Sequence, residues 1–320
     1  MLKRSLVVAP VDPSPGGETS VAYAVALAQR RGADVDLLHV ARPRGPSVFD
    51  SPDLALTGQT SSAGGRIPLL PESWGSKASD FTVERADVQV RHVTQQGEPA
   101  KAIAAYAQLA MAAVIVIGRY YGSSRWRNST GIASRLSRST PVPVLIVPPR
   151  DPADAPLRTG PFVSIVSAVD FTVSSAVALR TALGLARTSG GRVTMVHTLK
   201  NAPGRMVLSG SEAFSAIDEV HAEAANVAAR LRRGIPASAA SQVESRVTTG
   251  DPHRGILDVA SQVHADLIVM GASPRGRVDE LLFGSTLRGV LRRATSPVLV
   301  LPVAAGAHEW VVGGRIAGIQ

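Results

Sequence analysis

The stretch TGDPHRGILDVASQVHADLIVMG (249–271) decides the fold, because it occurs twice in the chain. Its counterpart, QGEPAKAIAAYAQLAMAAVIVIG (96–118), has the same parts in the same order: a Gly-acid-Pro start, a helix-length segment and an apolar run that ends on glycine. Pro252 suits the first turn of a helix, where no amide hydrogen bond is lost. The run LIVM before Gly271 is typical of a short, buried strand. Each copy therefore predicts a helix followed by a strand.

Other segments repeat in the same order. LVVAPVD (6–12) returns as SIVSAVD (164–170), VDLLHV (35–40) as VTMVHT (193–198), and STPVPVLIVP (139–148) as ATSPVLVLP (294–302). In the second copy, strands are predicted near 163–169, 192–198, 243–248, 266–271 and 297–302, and helices over 174–189, 211–233, 252–264 and 285–294. Strands that alternate with helices favour a parallel sheet with helices on both faces. The predicted fold class is α/β, with two tandem doubly wound parallel-sheet domains of five strands each.

The repeat divides the chain into a first domain at 1–150, a second domain at 151–303 and a tail at 304–320, with 149–161 as the linker. The first domain departs from the second at 43–87, which is rich in Pro, Gly and Ser and has no sustained helical period. We expect a long loop there in place of a helix. The tail is expected either to add a strand at 310–312 or to stay outside the sheet.

The composition excludes several kinds of site. The chain has 320 residues and no cysteine, so it has neither a disulfide nor a thiolate metal site. No apolar run reaches the roughly 20 residues that a membrane-spanning helix needs, and the short apolar start is interrupted by Pro10 and Asp12. A cytoplasmic protein without a membrane partner is therefore expected. The net charge of +9 attracts anions, but charge alone does not choose among phosphorylated small molecules, nucleic acids and membranes.

The residues that follow the fourth predicted strand of the second domain indicate an anion site. Ligands of such sheets bind outside the carboxyl ends of the strands, where the strand order reverses. Asp170 and Gly271 are therefore expected to face one crevice if their strands are neighbours, with Gly271 turning the chain and letting a ligand approach the main chain. Gly284 and Ser285 come where the next helix begins, and the free amides of a helix N-terminus suit phosphate.

These segments resemble the universal stress protein family, here as a tandem of two domains. Nucleotide-binding members of that family carry G-x2-G-x9-G-[ST] after the fourth strand, and Gly271, Gly284 and Ser285 match its outer positions. VDFTVSSAVALRTALGLA (169–186) resembles the family's first strand-to-helix segment, with the family's aspartate at Asp170. The resemblance covers both halves except 43–87 and the tail. It implies the fold of the adenine nucleotide alpha hydrolase-like proteins.

The resemblance implies a stress-response regulator, not an enzyme, that binds ATP or a related adenine nucleotide, with Mg²⁺ as a candidate companion ion and with little or no hydrolysis. In the second domain it implies a site made of Ala168, Val169, Asp170, Thr198, Met270, Gly271, Ser273, Arg275, Gly276, Gly284, Ser285 and Thr286. A more degenerate site in the first domain is made of Pro10, Val11, Asp12, Val40, Gly118, Gly122 and Gly131. Two departures weaken the match: Pro274 at the inner glycine has no N–H for phosphate, and Ile132 replaces the serine of the first domain.

Plainer roles are open for several of these residues. Asp170 can cap the helix that starts near Ser174 or tie a turn. His39 and His197 end equivalent strands, where a local hydrogen bond is more common than catalysis, and no Ser-His-Asp or metal spacing accompanies them. The arginine-rich segment 119–138 is either a solvated face or a source of positive charge for the cleft of the first domain. No catalytic or metal-binding residue is predicted.

Partners follow from the resemblance and from charge. The resemblance implies that the last strands, 142–148 and 297–302, pair inside one chain as a pseudo-dimer, and a homodimer of two chains is left open. The alternative function is a nucleotide-free protein-interaction module that docks a partner on its basic face or on 43–87. Nucleic-acid binding rests on charge alone, because the sequence has neither an aromatic stacking platform nor a recognition-helix pattern.

Overall fold

One mixed sheet of eleven strands runs through the molecule. The computed structural model describes residues 5–12, 15–41, 59–61, 67–68, 82–83, 88–119, 131–149, 160–199, 237–272 and 285–302, with single positions between 222 and 235. The first domain contains β1 (Leu6–Val11), β2 (Asp34–Ala41), β3 (Gln59–Ser61), β4 (Ile67–Pro68), β5 (Thr82–Val83), β6 (Val90–Gln96), β7 (Val114–Gly118) and β8 (Val144–Val147). The second contains β9 (Ser164–Ala168), β10 (Arg192–Leu199), β11 (Val243–Thr249), β12 (Leu267–Ala272) and β13 (Val298–Pro302).

Six helices connect these strands in the described part of the chain. They are α1 (Pro15–Arg31), α2 (Pro99–Leu109), α3 (Gly131–Ser139), α4 (Val173–Ser189), α5 (Pro252–Gln262) and α6 (Ser285–Arg293), and a short 3-10 helix spans Ala237–Gln242. The helices and strands predicted for the second domain agree with these bounds to within one or two residues. Of the predicted helix at 211–233, the described positions are helical, whereas its remainder and the tail at 304–320 lie outside the described residues.

Each domain contributes five parallel strands to the sheet, in the same doubly wound order. The first domain reads β6-β2-β1-β7-β8 and the second reads β11-β10-β9-β12-β13, with all neighbours parallel inside a domain. The order reverses between the first and the fourth of the five strands, and a parallel sheet of this kind needs helices on both faces. The predicted α/β class with two tandem domains is confirmed.

The two domains join through their last strands. β13 pairs antiparallel with β8, and the register sets Val298 opposite Ile146 and Val300 opposite Val144. The predicted pairing inside one chain is therefore present. Because the pairing is antiparallel, the carboxyl ends of the parallel strands point to opposite edges of the molecule in the two domains.

The hydrophobic core consists of two layers, one on each face of the sheet. Helices α1 and α4 pack on one face, with buried side chains such as Tyr23 and Leu185. Helices α2, α3, α5 and α6 pack on the other face, with buried side chains such as Ile103 and Leu291. The central strands are buried on both faces, which explains why they read as unbroken Val/Ile runs.

The segment 43–87, predicted to be a long loop, is described only at 59–61, 67–68 and 82–83, so that prediction stays untested. Its described residues contain no helix and three short strands. β3 extends the sheet by pairing antiparallel with β6, while β4 and β5 form a separate two-stranded ladder. The edge of the first domain is thus covered by β3, which the sequence did not predict.

Helix ends carry the signals that their sequences encode. Glu98 caps α2, because its carboxylate accepts from Ala100 N at 3.3 Å and Lys101 N at 3.1 Å. Thr172 caps α4, with Oγ1 accepting from Ser175 N at 3.3 Å. Gly190 ends α4 in the left-handed conformation, with φ of 66°.

Candidate functional site

Asp170 and Gly271 come to the same edge of the sheet in the second domain. β9 and β12 are adjacent and parallel, with Ile165 opposite Leu267 and Ser167 opposite Val269. This is the point at which the strand order reverses, so their carboxyl ends open the crevice in which ligands of such sheets bind. The expectation that these two strands are neighbours is confirmed.

The residues at this edge divide between the two faces of the sheet. Met270 is buried and Ala168 half-buried in the layer that α5 and α6 cover. Val169 belongs to the layer that α4 covers. A ligand that contacts Ala168 and Met270 would therefore lie on the α5–α6 face, at the carboxyl ends of β9, β10 and β12, and we refer to this region as the cleft of the second domain.

Position 271 requires a glycine for a packing reason that the sequence motif did not reveal. Gly271 is a residue of β12 and not a turn, because the strand continues to Ala272. A Cβ at this position would lie 2.3 Å from Ser174 O and 2.4 Å from Ser174 C. The first turn of α4 thus packs directly against the main chain of Gly271. The expected turn at Gly271 is wrong, and its lack of a side chain serves contact between helix and sheet.

The side chain of Thr198 is hydrogen-bonded within the protein, on the face of the sheet that α5 covers. Its Oγ1 lies 2.7 Å from Thr248 Oγ1 on the neighbouring strand. Helix α5 covers this pair at Gly255, where a Cβ would lie 2.3 Å from Thr248 Oγ1 and 2.9 Å from Thr198 Oγ1. The polar pair is half-buried beside α5, and its hydrogen bond leaves the main chain of Thr198 as the part of this residue to consider for a ligand.

The ladder between β9 and β10 stops before Thr198. Its last rung joins Ala168 to Val196, and Val169 N donates to Val196 O at 2.8 Å. His197 Nδ1 lies 2.7 Å from Val169 O, and because a carbonyl only accepts, Nδ1–H is the donor. His197 therefore engages the carbonyl at which the ladder would continue. The local hydrogen bond predicted for this histidine is present.

Asp170 ties the turn that leaves β9. Its Oδ1 accepts from Thr172 N at 3.1 Å and from Thr172 Oγ1 at 2.5 Å. Thr172, and not Asp170, is the residue that caps α4. Asp170 is exposed at the mouth of the cleft. The sequence left open whether Asp170 ties a turn or binds a ligand. The hydrogen bonds of a tied turn are present.

Phe171 is a residue of this mouth that the sequence did not single out. It adopts φ of 62°, an uncommon conformation for a bulky side chain. Its ring packs against His197, with ring centroids 4.9 Å apart, and the Arg230 guanidinium lies 4.0 Å from its centroid. The only signal in the sequence was the place of Phe171 directly after Asp170.

The phosphate end of the predicted site begins with α6. Ser285 is the exposed first residue of this helix and Thr286 is half-buried. The amides of a first helical turn have no partner inside the helix, and the dipole favours an anion there. Ser273, Arg275, Gly276 and Gly284 lie outside the described residues, so their part in the site stays a prediction.

The corresponding cleft of the first domain is arranged differently. The ladder between β1 and β2 runs one rung further and pairs Val11 with His39, and His39 Nδ1 is 3.4 Å from Val11 O. Val11 and Val40 are buried, as is Pro10, and Asp12 lies against α1, where a Cβ on Gly17 would be 2.3 Å from Asp12 O.

The phosphate end of that cleft also differs. Gly118 ends β7 and Gly131 starts α3, directly before Ile132, whereas Gly122 lies outside the described residues.

Two arginines of the segment 119–138 have described protein partners. Arg119 Nη1 donates to Ala294 O at 2.6 Å and to Leu291 O at 3.4 Å, both in the second domain. Arg135 forms an ion pair with Glu98 at 3.2 Å. Neither side chain is directed by these contacts to a phosphate in the first cleft.

A buried carboxylate paired with an arginine and a tyrosine distinguishes the first domain from the described part of the second, whose buried carboxylate, Asp266, accepts instead from the amides of Val163 and Ser164. Asp36 on β2 is fully buried and accepts two hydrogen bonds from Arg91, at 2.7 and 2.8 Å, and one from Tyr106 Oη at 2.6 Å. The hydrogen bond to Asp36 raises the pKa of Arg91, and burial followed by this hydrogen bond raises the pKa of Tyr106. In the second domain, the positions equivalent to Asp36 and Arg91 are occupied by Thr194 and Glu244. The cluster is a structural element of one domain only.

The described part of the chain lacks two further features. No group of three His, Asp or Glu side chains there is arranged to hold a metal ion, and no helix there has the length and apolar character to cross a membrane. A Mg²⁺ companion of the nucleotide therefore stays a prediction.

Comparison with known proteins agrees with this architecture. A universal stress protein from Archaeoglobus fulgidus has a similar fold, with a TM-score of 0.58, 19% identity, and coverage of 94% of this chain and 97% of that chain. Universal stress protein MJ0577 of Methanocaldococcus jannaschii is 32% identical over 60 residues, which are 19% of this chain and 37% of that protein. Stress response protein NhaX of Bacillus subtilis is 23% identical over 43% of this chain and 96% of its own length.

The family assignment rests on a match that covers both domains. The model of the universal stress protein family matches residues 4–148 and again residues 162–302. The two matched ranges coincide with the two five-stranded units of the sheet. The chain belongs to the universal stress protein family, as a tandem of two of its domains.

Proposed function

We propose that the chain binds an adenine nucleotide in the cleft of its second domain and acts as a stress-response regulator. The observation that carries this proposal is the end of the ladder at Ala168 and Val196. Alternate residues of a strand turn their main-chain groups to the same neighbour. Val196 faces β9, so Thr198 turns its N–H and C=O to the same side, beyond the last rung.

This main-chain pair complements the edge of adenine. Adenine has an acceptor ring nitrogen beside a donor amino group, and Thr198 offers a donor beside an acceptor. Met270 and Ala168 provide an apolar surface on the same face of the sheet, which suits a flat base. Asp170 at the mouth is a candidate acceptor for the ribose hydroxyls, and the first turn of α6 at Ser285 is a candidate site for phosphate.

The first domain is proposed to be without nucleotide. Its ladder continues to Val11 and His39, so the strand edge beside Val40 is occupied one rung further than in the second domain. Arg119, which follows the end of β7, donates to a carbonyl of the second domain. We therefore expect one nucleotide per chain.

Solved universal stress proteins that match less than half of this chain include one in complex with cAMP and one from Archaeoglobus fulgidus in complex with dAMP. These ligands are useful as probes. The proposal itself rests on the geometry of the second cleft, and it does not include catalysis. We expect ATP to be bound with little or no hydrolysis, as the resemblance to the family implies.

The test compares binding of ATP, AMP and cAMP by calorimetry in four single variants. Asp170→Asn and Ser285→Ala change the cleft, while Asp258→Asn and Ser261→Ala make the same chemical changes at exposed positions of α5. We expect both cleft variants to weaken ATP binding by about tenfold, the effect of one lost charge-assisted hydrogen bond, and the α5 variants to bind as the wild type does.

Native mass spectrometry of the gently purified chain measures the stoichiometry. One nucleotide per chain supports the proposal, whereas two would show that the first cleft also binds. A wild-type chain that binds none of the three probes would refute it and would favour the alternative, a protein-interaction module without a nucleotide.

A further inference from the structure

We propose that Arg119 of the first domain is a positioning residue for the nucleotide cleft of the second domain. It acts by holding the C-terminal end of α6, the helix whose N-terminal end faces the cleft. This inference rests on the proposed function, because it names a residue that supports the phosphate end of the same site.

The contact joins the two domains. Arg119 directly follows Gly118 at the end of β7, and its amide donates to Val147 O of β8 at 2.8 Å. Its backbone is therefore fixed beside the strand that pairs with the second domain. From there Nη1 donates to Ala294 O at 2.6 Å and to Leu291 O at 3.4 Å, where α6 ends.

The antiparallel pairing of β8 and β13 makes this contact geometrically natural. Strand ends of the first domain lie at the edge where the helices of the second domain finish. α6 starts at the cleft of its own domain with Ser285 and ends at Arg293, beside the strand end that carries Arg119. One helix thus connects the carboxyl edge of the first domain to the cleft of the second.

The chemistry of the contact fits a helix end. The last carbonyls of a helix have no amide partner within the helix, and the helix dipole places a partial negative charge there. A guanidinium supplies both donors and charge. α6 has only nine residues, and a helix of this length depends on tertiary contacts to stay in place.

The other described contacts of α6 are made by its buried side chains and by Gly289. Leu287, Val290 and Leu291 are buried in the layer on this face of the sheet. In mid-helix, Gly289 packs closely on His253 of α5, since a Cβ there would lie 2.5 Å from the imidazole ring. These contacts seat the side chains of α6 on the sheet and on α5, and Arg119 adds hydrogen bonds to the main chain where the helix ends.

The second domain has no arginine at the position equivalent to Arg119. By the repeat, the position of Arg119 corresponds to Ala272 in the second domain, which cannot donate to the end of α3 through its side chain. The support that Arg119 of the first domain gives to α6 is therefore not repeated by the residue at the equivalent position of the second domain.

The experiment measures the affinities of ATP and of adenosine in the full chain. Arg119→Met keeps an unbranched apolar side chain but removes the donors, and Arg119→Lys keeps the charge. Arg246→Met is the control, because it removes an arginine from the distant surface of β11. We expect Arg119→Met to weaken ATP binding by about three- to tenfold, the range that one charge at a helix end accounts for. Adenosine, which lacks phosphate, should bind unchanged, and Arg119→Lys should restore part of the ATP affinity.

Two outcomes would overturn the inference while leaving the proposed function intact. One is ATP affinity equal to that of the wild type in Arg119→Met. The other is an equal loss for ATP and adenosine, which would indicate general damage to the second domain.

Amide hydrogen exchange of residues 285–294 provides a readout without nucleotide. Faster exchange in Arg119→Met than in Arg246→Met supports the anchoring of α6, and equal exchange overturns it, even if the wild type binds no nucleotide at all.

Discussion

Gly271→Ala separates a packing role of this glycine from a ligand-binding role. The new Cβ would lie 2.3 Å from Ser174 O, 2.4 Å from Ser174 C and 2.8 Å from Ser174 Cβ. Ordinary contacts between carbon atoms are about 3.5–4.0 Å, so the start of α4 would have to move by roughly 1 Å. Such overpacking costs about 1–3 kcal/mol.

The expected result is a lower unfolding temperature in the absence of any nucleotide. For a domain of this size the cost corresponds to a decrease of about 3–10 °C, which circular dichroism during heating measures. The two closest atoms belong to the main chain of Ser174, so trimming its side chain cannot relieve the contact. Ser174→Ala alone is the matched control, and the double variant with Gly271→Ala should be no more stable than Gly271→Ala.

A different result would refute this reasoning. If Gly271→Ala unfolds at the temperature of the wild type but loses ATP, the absence of a side chain serves the ligand and not α4. If the double variant regains full stability, the conflict lies with the Ser174 side chain and the close contact of the main chains is not the cause.

Three other perturbations have expected outcomes. Asp36→Asn should destabilise the first domain by about 3 kcal/mol in denaturant titrations, the low end for a broken buried pair, because Arg91 is 45% exposed and can still reach water; a loss below about 1 kcal/mol would contradict this. Gly190→Ala should cost about 1 kcal/mol in the same assay, because φ of 66° is unfavourable for alanine, and an unchanged midpoint would count against that strain. The raised pKa of Tyr106 means that the folded chain keeps its phenol proton longer than the unfolded chain does. Stability should therefore be independent of this group below the ordinary tyrosine pKa of about 10 and should fall as the pH rises above it. Tyr106→Phe should make that fall shallower, and an unchanged slope would argue against the shift.

Much of the fold could be predicted because its signals are local and occur twice. The Val/Ile run before Gly271 and the proline at the start of α5 have the same form in both halves, and the strand-end histidines recur at equivalent places. The residues that end neighbouring strands could also be assigned to one crevice, since the doubly wound order follows from the alternation of strands and helices.

The parts that could not be predicted depend on contacts between distant segments. Nothing in the sequence near Asp36 indicates Arg91 and Tyr106, because the three meet only after β2, β6 and α2 pack together. The role of Gly271 depends on how closely α4 approaches β12, a property of packing and not of the motif. Arg119 was part of an arginine-rich segment whose charge suggested a phosphate, and only the pairing of β8 with β13 brings it to the end of α6.

The covalent tandem has a consequence for how the two halves can vary. A symmetric dimer of identical subunits carries every substitution twice, once in each copy of the interface. Here the two sides of the β8–β13 seam belong to one polypeptide, so each half accumulates changes without imposing them on its twin. The carboxylate on β2 has a threonine as its counterpart on β10, and the arginine after β7 has an alanine as its counterpart in β12. The two domains therefore share one fold, and a substitution in one of them leaves the sequence of the other unchanged.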